Sequence, residues 1–369
     1  MSDERDLDAV WAACKRTIFG STAAARDPRA LLLALAERAP GPNGADRYGG
    51  GELAERLEAR VAGLLGTEAA VWLPSGTMAQ QIALRIHAAR SGRNAVAFHP
   101  DCHLDMHEER GYEVLHGLHA VLLADRSRLI EPADVEGLRE PVAALLLELP
   151  QRDLGGRLPA WDDLVATCEA ARARGAALHL DGARLWQCAG FYKKTLAEIA
   201  GLFDTVYVSF YKDLRAPAGC ALAGPRDVID EARIWQVRHG GRLFNAYPYL
   251  LAAERGLDEV LPRLDAYAVR ARELATALTS VEGISVEPDP PQTAMFHALA
   301  RLPLDALKQA LLDVAEETGV WCGSPFSATS DPSVQRTELT VTEESFAVPV
   351  DEARELWSAV VRKAASAAG

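Results

Sequence analysis

Between residues 69 and 224 the chain alternates short apolar runs with amphipathic stretches, and this rhythm limits its fold more than any other feature. The apolar runs are AAVWL (69–73), AVAF (95–98), AALLLEL (143–149), AALHL (176–180), TVYVSF (205–210) and CALAG (220–224). Strands that lack a polar face are buried on both sides, as in parallel sheets that helices cover. We therefore predict an α/β fold with a mostly parallel central sheet and with ligands at the carboxyl ends of its strands.

The chain on either side of this region has a different pattern. APGPNGADRYGGGE (39–52) is a Gly- and Pro-rich break. Near the C-terminus, the apolar runs AMFHALA, GVWC and TELTV are interspersed with helical patterns at 303–318 and 350–365. We predict an N-terminal segment (1–45), a large domain (46–265) and a smaller C-terminal α+β domain (266–369).

The overall charge argues against polyanionic partners. The 369 residues carry a formal net charge of −13 at pH 7, and no block of Lys or Arg offsets it. We therefore expect neither nucleic acid nor a membrane as a partner. The six cysteines are scattered without a Cys-x-x-Cys pair, and no apolar stretch reaches the roughly 18 residues that a membrane-spanning helix needs. These features predict a cytoplasmic protein.

Three of the apolar runs end in residues that are able to do chemistry. Asp181 follows AALHL, where a lone carboxylate is equally well explained as a helix cap. Lys212 follows TVYVSF, and it is either an exposed loop lysine or a lysine in a dry site that forms a Schiff base. The Ser75–Thr77 segment follows AAVWL, where a helix N-terminus with small hydroxyl residues either binds phosphate or is a plain cap.

Taken together, these segments match the needs of pyridoxal 5'-phosphate (PLP). That cofactor requires a lysine for its Schiff base, an anion near its pyridine nitrogen and amide groups at its phosphate. The Schiff base would form on Lys212, the anion would be Asp181, and the amide groups would come from the Ser75–Thr77 segment. An anion at Asp181 would keep the pyridine nitrogen protonated, so that the ring accepts electrons from the substrate Cα.

The same segments resemble a known family. PSGTMAQQ, LHLDGARLWQ and VSFYKDLRAPAG are similar to motifs of the threonine aldolase group of the β-eliminating lyase family. ELAERLEARVAGLLGTEAAVWLPSGTMA resembles the leading segment of that group, and DRYGGGE resembles its Tyr-Gly turn. The resemblance, which extends over 46–245, implies the fold type I architecture of PLP enzymes, with active sites at a homodimer interface and often a homotetramer.

The resemblance also implies a role for each matching residue. Lys212 would be the Schiff-base lysine, and Asp181 would pair with the pyridine nitrogen. Arg184, in DGAR, would hold the substrate α-carboxylate. Gly76 and Thr77 would bind the cofactor phosphate.

Two further residues are implied at the cofactor. Ser209 lies close to the lysine at the same strand end. Arg242, in RHGGRLFN, lies near a Gly-rich segment of the family whose basic residue approaches a phosphate across the subunit interface. Both are therefore expected to contribute to cofactor binding.

HPDCHLDMHEE (99–109) is the densest run of metal-capable side chains in the chain. By itself it is compatible with a metal site, a structural loop histidine or a catalytic histidine. In the family, a histidine after the corresponding strand stacks on the PLP ring, and the matching position is His103. The resemblance thus implies that His103 holds the ring and can act as a base. His107 and Glu108 follow one helical turn later, so we expect them to face the same site, and we expect no metal because the sequence has no second cluster of ligands.

Three segments depart from the family pattern, and all of them concern the substrate. RTIFGSTAAARDP replaces a segment that supplies a carboxylate-binding hydroxyl, with Ser21 or Thr22 as a substitute. LELPQRDLGGRLP, which begins near Glu148, replaces a second substrate segment. QRTELTV has Glu338 where another carboxylate-binding arginine is expected, and Arg336 lies two residues away on the same face of the predicted strand.

The chemistry implied is PLP-dependent retro-aldol cleavage of a β-hydroxy-α-amino acid to glycine and an aldehyde. His103 or His107 would take the β-hydroxyl proton. Two alternatives stay open. One is β-elimination or carbon–carbon bond formation on another amino acid, which the altered substrate segments favour. The other is a non-catalytic binding module that retains the fold.

Overall fold

The structure is a computed structural model that describes residues 6–41 and 45–368, and it divides into two compact units. The sheet unit comprises residues 37–153 and 158–263, and the terminal unit comprises residues 6–36, 154–157 and 264–368. The start of the described chain therefore belongs to the same unit as its end. Residues 42–44 of the Gly- and Pro-rich break lie outside the described residues.

The described residues form the following strands: β1 (Arg16–Thr17), β2 (Ala69–Leu73), β3 (Ala95–Phe98), β4 (His119–Leu122), β5 (Ala144–Glu148), β6 (Ala177–Gly182), β7 (Thr205–Ser209), β8 (Cys220–Gly224), β9 (Ile284–Glu287), β10 (Met295–Ala300), β11 (Val320–Trp321), β12 (Ser327–Ala328) and β13 (Gln335–Thr340).

The α-helices are α1 (Leu7–Ala13), α2 (Pro28–Ala36), α3 (Glu52–Leu65), α4 (Gly76–Ser91), α5 (His103–Met106), α6 (Gly111–His116), α7 (Pro132–Glu136), α8 (Trp161–Ala173), α9 (Cys188–Tyr192), α10 (Leu196–Ala200), α11 (Arg226–Arg238), α12 (Tyr247–Glu259), α13 (Leu264–Thr279), α14 (Leu304–Thr318) and α15 (Val350–Ala368). None of them is both long enough and apolar enough to cross a membrane, as far as the described residues go.

The sheet unit is built on a sheet with the strand order β2-β8-β7-β6-β5-β3-β4. Strand β8 is antiparallel to both of its neighbours, and every other pair is parallel. Each apolar run of the sequence forms one strand, so the predicted mostly parallel sheet is confirmed. Strand β4 was not predicted, although AVLLA (120–124) is an apolar run, and it lies at the sheet edge with exposed and partly exposed residues.

Helix α4 covers one face of this sheet and brings its own N-terminus to the end of β2. Its Ile82 and Ile86 pack in one buried cluster with Val71 of β2 and Leu222 of β8. Helix α11 joins the same cluster through Ile229. Burial of these aliphatic side chains holds α4 across the sheet, so that residues before and after β2 are fixed relative to the other strand ends.

The terminal unit contains an antiparallel sheet with the order β12-β13-β10-β9. Burial alternates along β13: Thr337 and Leu339 are buried, and Arg336 and Glu338 are partly exposed. The two charged residues therefore share one face of the strand, as the two-residue period of a strand requires.

Candidate active site

The polar residues predicted from the sequence gather at one edge of the sheet. Leu73, the last residue of β2, pairs with Cys220 at the start of the antiparallel strand β8. Asp181 near the end of β6 pairs with Glu148 at the end of β5, and β7 ends at Ser209. The segments that follow β2, β6 and β7 therefore begin along the same edge, which is where parallel sheets bind ligands.

Asp181 is buried at this edge, with 2% of its surface exposed. Its Oδ1 accepts a hydrogen bond from the Ala183 amide at 3.0 Å, and its Oδ2 accepts one from the side-chain amide of Gln80. Burial raises the pKa of Asp181 to about 6, although these hydrogen bonds lower it in part. A cationic partner such as a protonated pyridine nitrogen would stabilise the ionised form of this buried carboxyl group.

Gln80 was not predicted as a site residue. It lies on the sheet-facing side of α4 and is 1% exposed. A polar side chain on the apolar face of a helix is rarely buried without a specific partner. That mismatch is the sequence signal that could have identified it.

Lys212 lies in a tight turn after β7. The Ser209 hydroxyl oxygen accepts hydrogen bonds from the amides of Tyr211 (3.2 Å) and Lys212 (3.3 Å). The Lys212 ammonium lies 5.2 Å from the centroid of the Tyr211 ring. Ser209 is fully buried, so its described contacts fix the backbone that carries the lysine, and its contact with a cofactor stays a prediction.

The Ser75–Thr77 segment forms the N-terminus of α4. Ser75 is the N-cap, and its hydroxyl accepts the Met78 amide at 3.3 Å. A Cβ added at Gly76 would lie 2.2 Å from the Tyr207 hydroxyl, and one added at Gly241 would lie 2.3 Å from Met78 Sδ. The Gly-rich segment before Arg242 therefore packs directly against the helix N-terminus, where backbone amides point towards an anion.

Arg184 follows β6 and forms an ion pair with Asp213, the residue next to Lys212. Arg184 Nη1 donates to Asp213 Oδ1 at 2.9 Å, and Gln187 Nε2 donates to the same oxygen at 2.6 Å. Burial raises the pKa of Asp213, and Arg184 opposes that shift. Asp213 was not predicted, because nothing in KDLRAPAG indicates which cation it faces.

His103 is the first residue of the short helix α5, and the side chain of Glu108 contacts it. His103 Nδ1 lies 2.9 Å from Glu108 Oε1, and the Glu108 side chain is almost fully buried. Residues Glu109 and Arg110 have φ values of 49° and 53°, a left-handed conformation that reverses the chain direction after the carboxylate. An ionised carboxylate only accepts hydrogen bonds, so Nδ1 carries the proton and Nε2 is left as the acceptor in neutral His103.

The other histidines of the 99–109 run have separate contacts. His99 Nε2 contacts the backbone oxygens of Asp125 and Arg128, and His107 Nε2 lies 3.6 Å from Asp153 Oδ2. Across the part of the chain that the structure describes, no group of three metal-capable side chains is arranged to hold an ion. His99 therefore anchors a loop.

Glu148 carries a second buried carboxyl group at the sheet edge. Its Oε1 accepts the Arg152 amide at 3.0 Å, and its Oε2 lies 3.3 Å from Gln151 Nε2. Burial, followed by the adjacent Asp181, raises the pKa of Glu148 well above its usual range. The two neighbouring carboxyl groups therefore disfavour a double negative charge.

The remaining predicted residues are Arg242 of the sheet unit and residues of the terminal unit. Arg242 donates to the backbone oxygen of Tyr48 on an exposed surface of the sheet unit. Ser21, Thr22 and the β13 residues belong to the terminal unit. In that unit the Thr22 hydroxyl accepts the Ala25 amide at 3.3 Å.

The side chains at the sheet edge fit PLP. Asp181 is a buried carboxyl group with a raised pKa, so a neighbouring cation would stabilise its ionised form. The protonated pyridine nitrogen of PLP is such a cation. The close-packed N-terminus of α4 suits its phosphate. Lys212 follows β7, the strand that pairs with Asp181 of β6. A positive charge on His103 lowers the pKa of Asp181.

Comparison with known proteins gives one consistent family. Residues 35–300 match the model of the beta-eliminating lyase family. The chain is 28% identical over 282 residues to low-specificity L-threonine aldolase 1 of Arabidopsis thaliana, which covers 72% of this chain and 77% of the relative.

Solved structures agree with that match. The crystal structure of a Listeria monocytogenes protein provisionally described as an L-allo-threonine aldolase is 35% identical, with a TM-score of 0.91 and coverage of 96% of this chain and 98% of that one. A serine palmitoyltransferase of Sphingomonas wittichii is 16% identical with a TM-score of 0.67, over 92% of this chain and 85% of that one. The second likeness concerns the fold alone.

Proposed function

Because the chain belongs to the beta-eliminating lyase family, we propose that it cleaves a β-hydroxy-α-amino acid such as threonine to glycine and an aldehyde. The predicted family, the fold type I architecture and a PLP-dependent lyase are confirmed by that membership. The relatives named as threonine aldolases support the choice of substrate.

The observation that carries this proposal is the pairing of His103 with Glu108 near Asp181. With Nδ1 bonded to the carboxylate, the imidazole presents Nε2 as its basic atom. Retro-aldol cleavage requires a base that takes the proton of the β-hydroxyl group. His103 Nε2 takes that proton directly or through a water molecule.

The other side chains bind and orient the reactants. When bound, PLP supplies an electron sink for the electron pair that the Cα–Cβ bond releases. Lys212 would hold the cofactor covalently, and Asp181 would accept a hydrogen bond from its protonated pyridine nitrogen. Gly76 and Thr77 would bind its phosphate, and Arg184, oriented by Asp213, would bind the substrate α-carboxylate.

The test is product analysis with L-threonine and L-allo-threonine on the PLP-loaded protein. We expect glycine and acetaldehyde in equal amounts. Lys212→Ala should abolish both products, and Lys194→Ala should not, because Lys194 lies on the surface against Glu198. Failure to release glycine from threonine or from any other β-hydroxy-α-amino acid would contradict the proposal.

A second candidate is β-elimination, which the description of the matching family model favours. The two reactions break different bonds. Cleavage between Cα and Cβ of threonine gives glycine, whereas loss of the β-hydroxyl group gives 2-oxobutanoate and ammonia. Ammonia release without glycine would replace the aldolase assignment with this second one.

We also propose that the protein acts as a homo-oligomer, a dimer or tetramer, with Arg242 serving a neighbouring subunit. Around Arg242 the side chains of Tyr48, Phe244, Ile234 and Val237 are each more than half exposed. Apolar groups gathered in this way are typical of subunit interfaces.

Subunit mixing tests this arrangement. Lys212→Ala and Arg242→Ala chains are each inactive if both residues are required. A mixed dimer regains one intact site only if Arg242 and Lys212 of that site come from different subunits. Failure of unfolded and co-refolded mixtures to regain activity, with mixed dimers detected by mass spectrometry, would place Arg242 elsewhere.

A cytoplasmic location is part of the same proposal. All six cysteines are free thiols and buried, which suits a reducing compartment. Cell fractionation that follows the activity beside a cytosolic marker enzyme tests it.

A further inference from the structure

Five buried side chains of the sheet unit form one chain of hydrogen bonds that ends at Asp181. His87 Nε2 lies 2.8 Å from Thr205 Oγ1, and Thr205 Oγ1 lies 2.8 Å from His179 Nδ1. His179 Nε2 lies 2.6 Å from Gln80 Oε1, and Gln80 Nε2 donates to Asp181 Oδ2. The roles proposed above for the active-site residues use none of the first four side chains.

The direction of every bond in this chain follows from Asp181. A carboxylate only accepts, so the amide nitrogen of Gln80 faces it and the amide oxygen faces His179. His179 Nε2 must then carry a proton, and its Nδ1 accepts from the Thr205 hydroxyl. The Thr205 oxygen accepts in turn from His87. All four bonds therefore donate towards Asp181.

This assignment requires His179 to be neutral, because its Nδ1 accepts and an imidazolium ring has no acceptor, whereas His87 only donates. Burial lowers the pKa of His179 to about 3 and that of His87 to about 4. His87 faces the opposing charges of Asp204 and Arg90, whose effects are smaller than that of burial. Both rings are neutral at neutral pH.

The chain is also fully enclosed. Gln80 is 1% exposed, and His179 and Thr205 are 0% exposed. The Gln80 amide therefore cannot exchange its partners for bulk water, and the His179 Nε2–H donor adds to Asp181 in favouring the orientation that points the amide nitrogen at the carboxylate. The wrong orientation would place its oxygen against the Asp181 carboxylate.

We propose that His179 is a positioning residue. Through Gln80 it fixes the position of Asp181 Oδ2, and this strengthens the interaction of the Asp181 carboxylate with the pyridine nitrogen of PLP. The inference rests on the proposed role of Asp181. The Gln80 donor stabilises the ionised carboxylate. Without it, Asp181 takes up a proton more readily and loses its ion pair with a protonated pyridine nitrogen.

The test compares two ligands of the apoprotein: PLP and 1-deaza-PLP, which has C–H in place of the pyridine nitrogen. We expect His179→Phe to weaken PLP binding by about tenfold, the size of one hydrogen bond to a charged group, and to leave 1-deaza-PLP binding unchanged. His179→Gln retains an N–H donor near the Nε2 position and should restore the preference for PLP.

His87→Leu is the matched control, because it removes the far end of the same chain and leaves the three bonds nearest Asp181. It should retain the wild-type ratio of the two dissociation constants. If His179→Phe does not fold, Gln80→Met removes the donor to Asp181 that His179 orients, and it is measured in the same way.

Equal weakening of PLP and 1-deaza-PLP by these substitutions would overturn the positioning role and leave a purely structural one. An unchanged PLP affinity would also overturn it. Failure of the wild-type apoprotein to bind PLP at all would instead overturn the proposed function, and this inference with it.

Discussion

Asp213 Oδ1 lies 2.9 Å from Arg184 Nη1, and the side chains of both residues are largely buried, with 1% and 14% exposed. The two residues follow different strands, β6 and β7, and the pair therefore ties the arginine to the turn that carries Lys212. Such a pair is costly to break from one side, because the partner is left as an uncompensated buried charge.

Asp213→Asn should raise KM for the amino acid by roughly tenfold with a smaller effect on kcat, because a neutral amide orients Arg184 less firmly than a charge-assisted bond does. Steady-state kinetics measures both constants. Asp134→Asn removes a similar carboxylate, paired with Arg128 on the surface, and should leave KM unchanged. A fall in kcat with constant KM would show that Arg184 does not hold the substrate.

His103→Phe should retain cofactor binding but lower kcat by at least about a hundredfold, the range for loss of a general base. Phenylalanine keeps a flat ring for stacking and has no Nε2. Single-turnover cleavage rates and PLP affinity together measure the effect. A normal rate in this variant would assign the proton transfer to another group, with His107, whose ring centroid lies 5.0 Å away, as the nearest histidine.

Gly76→Ala should weaken PLP binding by about tenfold or more, because overpacking of this kind typically costs 1–3 kcal/mol. The added Cβ would lie 2.2 Å from the hydroxyl of Tyr207, which is 3% exposed and packs in a buried cluster with residues of β2 and α4. Gly63→Ala is the control: it lies within helix α3 with no atom near its Cβ, and should stabilise the protein by about 0.5–1 kcal/mol. Unchanged PLP affinity in Gly76→Ala would contradict the close packing.

Asp181→Asn should stabilise the apoprotein relative to the wild type increasingly as pH rises from 4 to 7. Burial raises the pKa of Asp181 from 3.8 to about 6, so folding favours its protonated form. The stability it contributes is present below its unfolded pKa and is lost as pH rises through the folded value. The difference is on the order of 3 kcal/mol.

Unfolding midpoints of both apoproteins across this pH range measure that difference. The substitution also removes the charge that faces Glu148, whose pKa burial and Asp181 both raise, and this acts in the same direction. If the stability difference between the two apoproteins did not change with pH, ionisation of Asp181 would cost no folding stability.

The apolar runs were sufficient to predict six of the seven strands of the sheet, because strands buried on both faces require nearly every residue to be apolar. The polar residues near the ends of those runs were also located from the sequence: Asp181 and Ser209 lie at or next to the ends of β6 and β7, and Lys212 lies in the turn after β7. Edge strand β4 was not predicted, although its segment contains the apolar run AVLLA (120–124), and its residues are exposed or partly exposed.

The sequence by itself determined the sheet, the family and the residue types at the strand ends, since these depend on local periodicity and on short motifs. Only the tertiary structure decided the partners: Gln80 with Asp181 and His179, Asp213 with Arg184, and His87 with Thr205. Hydrophobic periodicity encodes which face of an element is buried, but not which element lies opposite. Those contacts exist because α4 lies across the sheet, and this placement depends on packing between residues that are far apart in the chain.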